Sequence, residues 1–375
     1  MRPETEAELA EMVAGLAQPV RIAGGGTRGV TGPDADLSVT GLRGITLYEP
    51  GALTLVARSG TSVADINATL DAEGQRLAFE PMDHRALMGT TGEPTIGGVV
   101  AANVSGPRRV QAGACRDFLL GVRYVDGLGQ VIRNGGRVMK NVTGYDLVKL
   151  LAGSWGTLGV LTEVSLKVLP RSESSATLVW SGCDWSQSLK LFSEALASPF
   201  EVTGAARLPG GSQMKQTTSE TVIRIEGFSD SVAYRVGKLA EMFNHQKPDR
   251  IVTDAAENEA IWKAVRDVEP FADTAGNVWK TSVKPTDMLR VVDQPGCTHL
   301  LDWGGGLIWT LAPEGFDLRA ALEGVPGHST LVRGRDAEIA QFGRFQPEPA
   351  GVAALTQGLR QRFDPKGLFN PGLMG

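Results

Sequence analysis

Cysteine is nearly missing from this chain. Only Cys115, Cys183 and Cys297 occur in 375 residues, each far from the next, which excludes a Cys₄ iron–sulfur cluster or zinc site built within it. Histidine is almost as scarce, and His84, His245, His299 and His328 stand in no two-ligand spacing, so no metal site is expected. No apolar run approaches the ~20 residues that a membrane-spanning helix needs. The opening Met1-Arg2-Pro3-Glu4-Thr5-Glu6 lacks the basic-then-apolar pattern of a secretion signal, so the expected compartment is the cytoplasm. An excess of positive charge is also missing: 37 basic against 42 acidic residues give a net charge of −5, and nucleic acid has no basic face to bind.

Glycine, by contrast, is plentiful at 47 residues, and it is clustered. Val20-Arg21-Ile22-Ala23 is a short apolar strand that runs into Gly24-Gly25-Gly26-Thr27-Arg28-Gly29. Residues without Cβ let a backbone approach a ligand closely, and successive N–H groups can then converge on an anion. This reads as a phosphate-binding turn, in which Thr27 adds a hydroxyl and a side chain at Gly25 would fill space meant for phosphate oxygens. Gly24, Gly26 and Gly29 also satisfy G-x-G-x-x-G, but the dinucleotide fingerprint requires a helix to follow. Here Gly32-Pro33 follows within a few residues, so a glycine loop between strands is expected instead. A second cluster spans Glu93 to Gly106 and is so poor in bulk that it suits either a backbone lying on a flat ligand or tight packing against another backbone. A third runs through Ser154-Trp155-Gly156-Thr157-Leu158-Gly159-Val160.

Around these clusters the chain reads as α+β. Thr5-Glu6-Ala7-Glu8 is a capping box ahead of Leu9, Met12, Val13 and Leu16, predicting a helix over 5–17. A hairpin is predicted over 45–58, a helix capped by Ser62, paired strands over 118–133, and a short helix over 145–152. The linker-like Pro170-Arg171-Ser172-Glu173-Ser174-Ser175 marks a boundary. Beyond it, strands at 176–180, 221–228, 278–283 and 306–311 alternate with helices at 185–197, 230–243, 286–292 and 316–323, which suggests a ferredoxin-like sheet covered by helices on one side. A helix over 349–363 precedes a tail fixed by Asp364-Pro365 and Asn370-Pro371-Gly372. A tail held so rigidly is expected to dock.

The three clusters and that Asn-Pro-Gly turn, with Ser105-Gly106-Pro107-Arg108-Arg109, Arg116-Asp117-Phe118, the stretch 138–147 beginning Val138-Met139-Lys140-Asn141, and Gly159-Val160-Leu161-Thr162-Glu163, resemble the FAD-linked oxidases of the vanillyl-alcohol-oxidase type. More narrowly, they resemble the FAD-binding subunits of glycolate oxidase complexes. The resemblance implies a two-lobed PCMH-type FAD-binding domain over 1–172, with lobes of about 1–80 and 81–172. A ferredoxin-like cap over 173–340 and a segment over 341–375 returning to the FAD domain complete it. It also implies that Gly24, Gly25, Gly26 and Thr27 hold the pyrophosphate. Pro81, Thr95, Gly97, Gly98 and Gly106 would follow the ribityl chain and ring, Gly156, Thr157, Gly159 and Val160 the adenosine end, and Asn370 would reach the flavin edge. No histidine stands in the glycine loop, so noncovalent FAD is implied.

What the resemblance implies about chemistry is glycolate oxidised to glyoxylate by a complex with a catalytic flavin subunit and an iron–sulfur subunit. Oxidation of a small 2-hydroxy acid needs a base, a cation for the carboxylate and a flavin. The catalytic residues stay unassigned, with His84 and Lys140 as candidates. His84 falls on Pro81-Met82-Asp83-His84-Arg85 and suits a surface loop as well as a base; Lys140 suits solvent or a subunit contact as well as an anion. Arg108, Arg109 and Arg116 suit an anion site or an acidic partner. Two other readings stay open: an autonomous FAD-dependent 2-hydroxy-acid or alcohol oxidoreductase, and a scaffold that has lost flavin.

Overall fold

The computed structural model describes residues 1–30, 36–137, 144–211 and 217–374. The first helix, Glu6–Ala14, is capped by Thr5, whose hydroxyl accepts the Glu8 N–H. It buries Leu9 and Val13 against Val20, Leu37, Val125, Val160, Leu368 and Phe369, so both ends of the chain share one small core. Strand Arg21–Ala23 pairs in parallel with Asp36–Ser38, pinned by a two-pronged Arg21–Asp36 ion pair at 2.6 and 2.7 Å. No helix follows strand Arg21–Ala23 among the described residues 24–30.

A five-stranded antiparallel sheet comes next, in the order Ile45–Glu49, Thr54–Arg58, Val160–Lys167, Leu119–Val125, Val131–Gly135. Its alternating inner residues pack against helix Val63–Asp71, capped by Ser62, and helix Ile96–Ala101, capped by Thr95. The second glycine cluster is therefore not poor in core: Ile96, Val99 and Val100 are fully buried.

Strands Gln75–Arg76 and Leu169–Pro170 form a small antiparallel pair, and the others form one eight-stranded antiparallel sheet. Its order is Arg250–Val252, Ser174–Ser181, Glu220–Gly227, Val202–Leu208, Thr298–Asp302, Leu307–Ala312, Asn277–Val283, Gly327–Arg333. Four of these strands, 202–208, 250–252, 298–302 and 327–333, and the helix Ala255–Arg266 are absent from the sequence reading. Val202–Leu208 contains Thr-Gly-Ala-Ala and is buried at every position, so it shows no two-residue alternation to detect. Helices Trp185–Ala197, Ser229–Met242 and Met288–Val292 cover one face through Leu178, Ile223, Ile308 and Leu331. The other face, through Val179, Val222, Leu300 and Trp309, joins the core of the first sheet.

The seam between the two sheets is also charged. Glu80 meets Arg108 at 2.8 Å and Arg224 at 3.0 Å, while Glu226 meets Arg76, Arg108 and Arg224 at 3.0, 2.7 and 3.3 Å. Burial pushes both carboxyls up, but the surrounding guanidiniums outweigh it and hold Glu80 and Glu226 below the usual carboxylate range. A cluster like this fixes relative orientation more than it stabilises, because desolvation offsets the Coulomb gain.

Candidate functional site

Two cavities meet at Arg28, Ala102 and Trp155. The first, of about 420 Å³, is lined by Gly24, Gly25, Gly26, Thr27, Thr95, Gly97, Gly98, Gly156, Gly159 and Asn370. These ten of the residues singled out in the sequence are thus brought together from four separate stretches. Its wall is two backbones in contact. A Cβ on Gly25 would stand 1.6 Å from the Glu93 carbonyl oxygen, and one on Gly24 would stand 2.4 Å from Thr95 Oγ1. The requirement for glycine at position 25 is therefore close packing of the first cluster on the second, not room for phosphate oxygens. Gly26 differs: its φ of +69° favours glycine, and its Cβ direction is open. Among the described residues, no acceptor takes the N–H groups of Gly25, Gly26 or Thr27, leaving them available to an anion.

Asn370 closes this cavity. Its Oδ1 accepts the Ile22 N–H at 2.8 Å and its Nδ2 donates to the Trp155 carbonyl at 2.8 Å. Backbone bonds from Val20 to Leu368 and from Asn370 to Val20 lay the tail alongside the first strand. Three other residues expected to bind FAD do not line either cavity, nor does Arg108, which lies in the charged seam. Val160 is fully buried in the core beside Leu9, Thr157 donates to the Ser154 carbonyl at 2.7 Å, and Pro81 lines a separate polar cavity beside Glu80 and Arg224. Lys140 lies outside the described residues.

The second cavity, of about 410 Å³, shares Arg28, Ala102 and Trp155 with the first. One wall carries His84, Gly106 and Arg109, and the other is the eight-stranded sheet. Strand register builds that second wall. Asp302, Leu307, Ser282 and His328 stand in one row across four strands, and Trp309, Lys280 and Thr330 stand in the next. Side chains two apart share a face, so Lys280 and Ser282, Leu307 and Trp309, and His328 and Thr330 all point the same way. Trp303, just past the strand, donates its indole N–H to the Gly106 carbonyl at 3.0 Å and ties the walls together.

The electrostatics of this cavity are unusual. Burial pushes Asp302 up to about 7, with Glu80 adding to the rise. Burial, then the charges of Arg109 and Arg28, lowers Lys280 to about 8. His84 is not on the surface. It is buried, its Nδ1 has no hydrogen-bond partner, and burial with the Arg28 and Lys280 charges holds it well below the usual imidazole range. Arg28 spans both cavities, and its Nε is buried without a partner. Lys280, Asp302 and Trp303 are missing from the sequence reading, because only sheet register puts them at one site.

These residues fit an elongated, anionic, flat-ended ligand such as FAD. Unused backbone donors stand at one end, an unpaired cation in the middle, and aromatic walls at the other end. The FAD binding domain family matches residues 1–135, and an FAD-binding oxidoreductase is the class that fold and site define. The fold is that of alkyldihydroxyacetonephosphate synthase, with a TM-score of 0.66 over 99% of this chain and 76% of that one at 14% identity. In sequence, the chain is 35% identical over 350 residues to glycolate oxidase subunit GlcE of Escherichia coli (strain K12), covering 92% of this chain and 88% of that protein. It is also 35% identical over 127 residues to glycolate oxidase subunit GlcD of Bacillus subtilis (strain 168), covering 34% and 26%. The chain belongs to the GlcE family of FAD-linked oxidoreductase subunits.

Proposed function

We propose that this chain is the FAD-binding subunit of a cytoplasmic glycolate oxidase complex, which oxidises glycolate to glyoxylate together with a catalytic flavin subunit and passes electrons to an iron–sulfur subunit. The observation that carries this reading is the extent of the likeness to GlcE, at 92% of this chain and 88% of that protein. It extends far beyond residues 1–135, the part that the FAD binding domain family matches. No described helix is long and apolar enough to cross a membrane.

In this reading the N–H groups of Gly25, Gly26 and Thr27 bind the pyrophosphate of FAD, held noncovalently. Backbone donors do this without loss of side-chain entropy. Arg28 places a positive charge where the two cavities join, and Gly156 and Gly159 support the adenosine end. When bound, FAD supplies the two-electron acceptor. The second cavity excludes water with Trp303, Trp309 and Leu307, and its groups Asp302, Lys280 and His84 are able to hold or exchange protons. That supply of proton-exchanging groups favours a second reading, in which the chain oxidises a 2-hydroxy acid or alcohol by itself.

The test is the visible spectrum of the chain purified alone, with released flavin counted after denaturation, and then the spectrum of folded protein under anaerobic glycolate. One FAD per chain without bleaching is expected for a subunit that depends on its partner. Bleaching by glycolate identifies an autonomous oxidoreductase, and a chain without flavin, even when co-expressed with its partners, overturns both.

A further inference from the structure

The arginines around the seam are paired. Arg76, Arg108 and Arg224 share Glu80 and Glu226, and Arg333 donates to the carbonyls of Leu87, Phe271 and Thr274. In the second cavity Arg266 is also paired, with Asp267 at 2.7 Å, but two other cations depart from this pattern. Among the described residues, neither Lys280 nor Arg109 makes an ion pair; each rests on aromatic rings instead. Arg109 lies 4.3 Å from the centroid of Trp303, and Lys280 lies 5.7 Å from those of both Trp303 and Trp309. An aromatic face steadies a cation by about 0.5–2 kcal/mol but leaves its charge free for an anion. Two unpaired cations, from different domains, converging on one indole form a receptor for a negative group. Asp302 stands on the same wall, with one oxygen fixed by the Trp303 N–H at 2.7 Å. It is the buried carboxyl among the residues that line this cavity.

We propose that this chain carries its own binding site for a small 2-hydroxy acid, in which Lys280 and Arg109 take the carboxylate and Asp302 bonds the 2-hydroxyl. The inference rests on the glycolate oxidase reading for its substrate class and goes beyond it. Substrate recognition is placed in this subunit, and not only in its catalytic partner. The arrangement explains why both charge signs occur in one small cavity. Cations alone would admit any carboxylate, whereas a buried carboxyl beside them rewards a neighbouring hydroxyl and is left poorly paired by an acid that lacks it.

The test is binding without turnover. The chain as purified is titrated with 2-hydroxyisobutyrate, whose carbinol carbon bears no hydrogen and cannot be oxidised to a ketone, and with isobutyrate, which lacks the hydroxyl. Tryptophan fluorescence reports on Trp303 and Trp309, and calorimetry gives the affinities. Unmodified protein is expected to prefer the hydroxy acid by tenfold or more. Lys280→Met and Arg109→Met, on separate elements, are each expected to weaken both acids by tenfold or more, with flavin content retained. Asp302→Leu, of similar size and without a hydrogen-bonding group, is expected to bind isobutyrate at least as tightly and to shrink the preference below threefold. The inference is overturned if the unmodified protein binds neither acid, if both cation variants bind as tightly as it does, or if Asp302→Leu keeps the preference. Failure of the reconstituted complex to oxidise glycolate counts against the function proposed above and not against this site, because the titrations need no turnover.

Discussion

The two cavities are built in opposite ways. The first is walled by backbone, with Gly24 and Gly25 pressed against Thr95 and Glu93, and its donors are main-chain N–H groups that cannot be exchanged by substitution. The second is walled by side chains on four strands and one facing loop, each free to vary without altering the main chain. A cofactor shared by a whole family suits the first kind of wall, and a particular substrate suits the second. Changes at the first should therefore act on folding and flavin together, and changes at the second on ligand choice.

The largest expected effect falls on the seam that holds the cavities in register. Arg224→Met takes one guanidinium from each of the buried Glu80 and Glu226, leaving them Arg108 and Arg76, and should cost about 3–5 kcal/mol, read as a lower urea midpoint with an unchanged slope; a loss under 1 kcal/mol would show that the remaining arginines and apolar contacts hold the seam. The same carboxyls set a pH dependence. Their folded pKa values lie below their usual 4.5, so their contribution is fully present above that pH and is lost as pH falls through the folded values. Thermal stability should therefore drop on acidification below about 4.5, and a Glu226→Gln variant should show a shallower drop.

Next comes Gly25→Val, which drives a branched side chain into the Glu93 backbone. It should cost about 3 kcal/mol or more and release FAD with it; full flavin content with an unshifted melting temperature would refute the backbone-contact explanation. Asn370→Ala breaks the bonds to Ile22 and Trp155 and should cost about 1–3 kcal/mol while weakening FAD retention, measured by flavin loss on dilution. The smallest effect is expected in the second cavity at His84. His84→Gln should lower glycolate turnover by the reconstituted complex less than tenfold, about 1.4 kcal/mol of barrier. A hundredfold fall would make His84 the base and move the proton chemistry away from the eight-stranded sheet.

Local signals made the first cavity readable. Strand Arg21–Ala23 with its glycines, the Thr5 and Ser62 caps, and the 45–58 hairpin each depend on a few consecutive residues, and each appears in the structure where the sequence puts it. Less readable was anything that depended on partners distant in the chain. Pro81 sits inside a conspicuous motif yet faces the Glu80–Arg224 cavity, and Val160 follows the third glycine cluster yet fills the core beneath the first helix. His84 reads as polar and loop-borne yet is buried, because Arg28 and the eight-stranded sheet close over it.

By itself, then, the amino-acid order determined where the backbone could bend and approach an anion, since the absence of Cβ is a property of single residues and acts within a turn. Tertiary structure decided which side chains share the second cavity. Lys280, Asp302 and His328 are separated by 22 and 26 residues in the sequence, and only the register of four antiparallel strands, where a shift of one residue turns every side chain to the other face, sets them over one space.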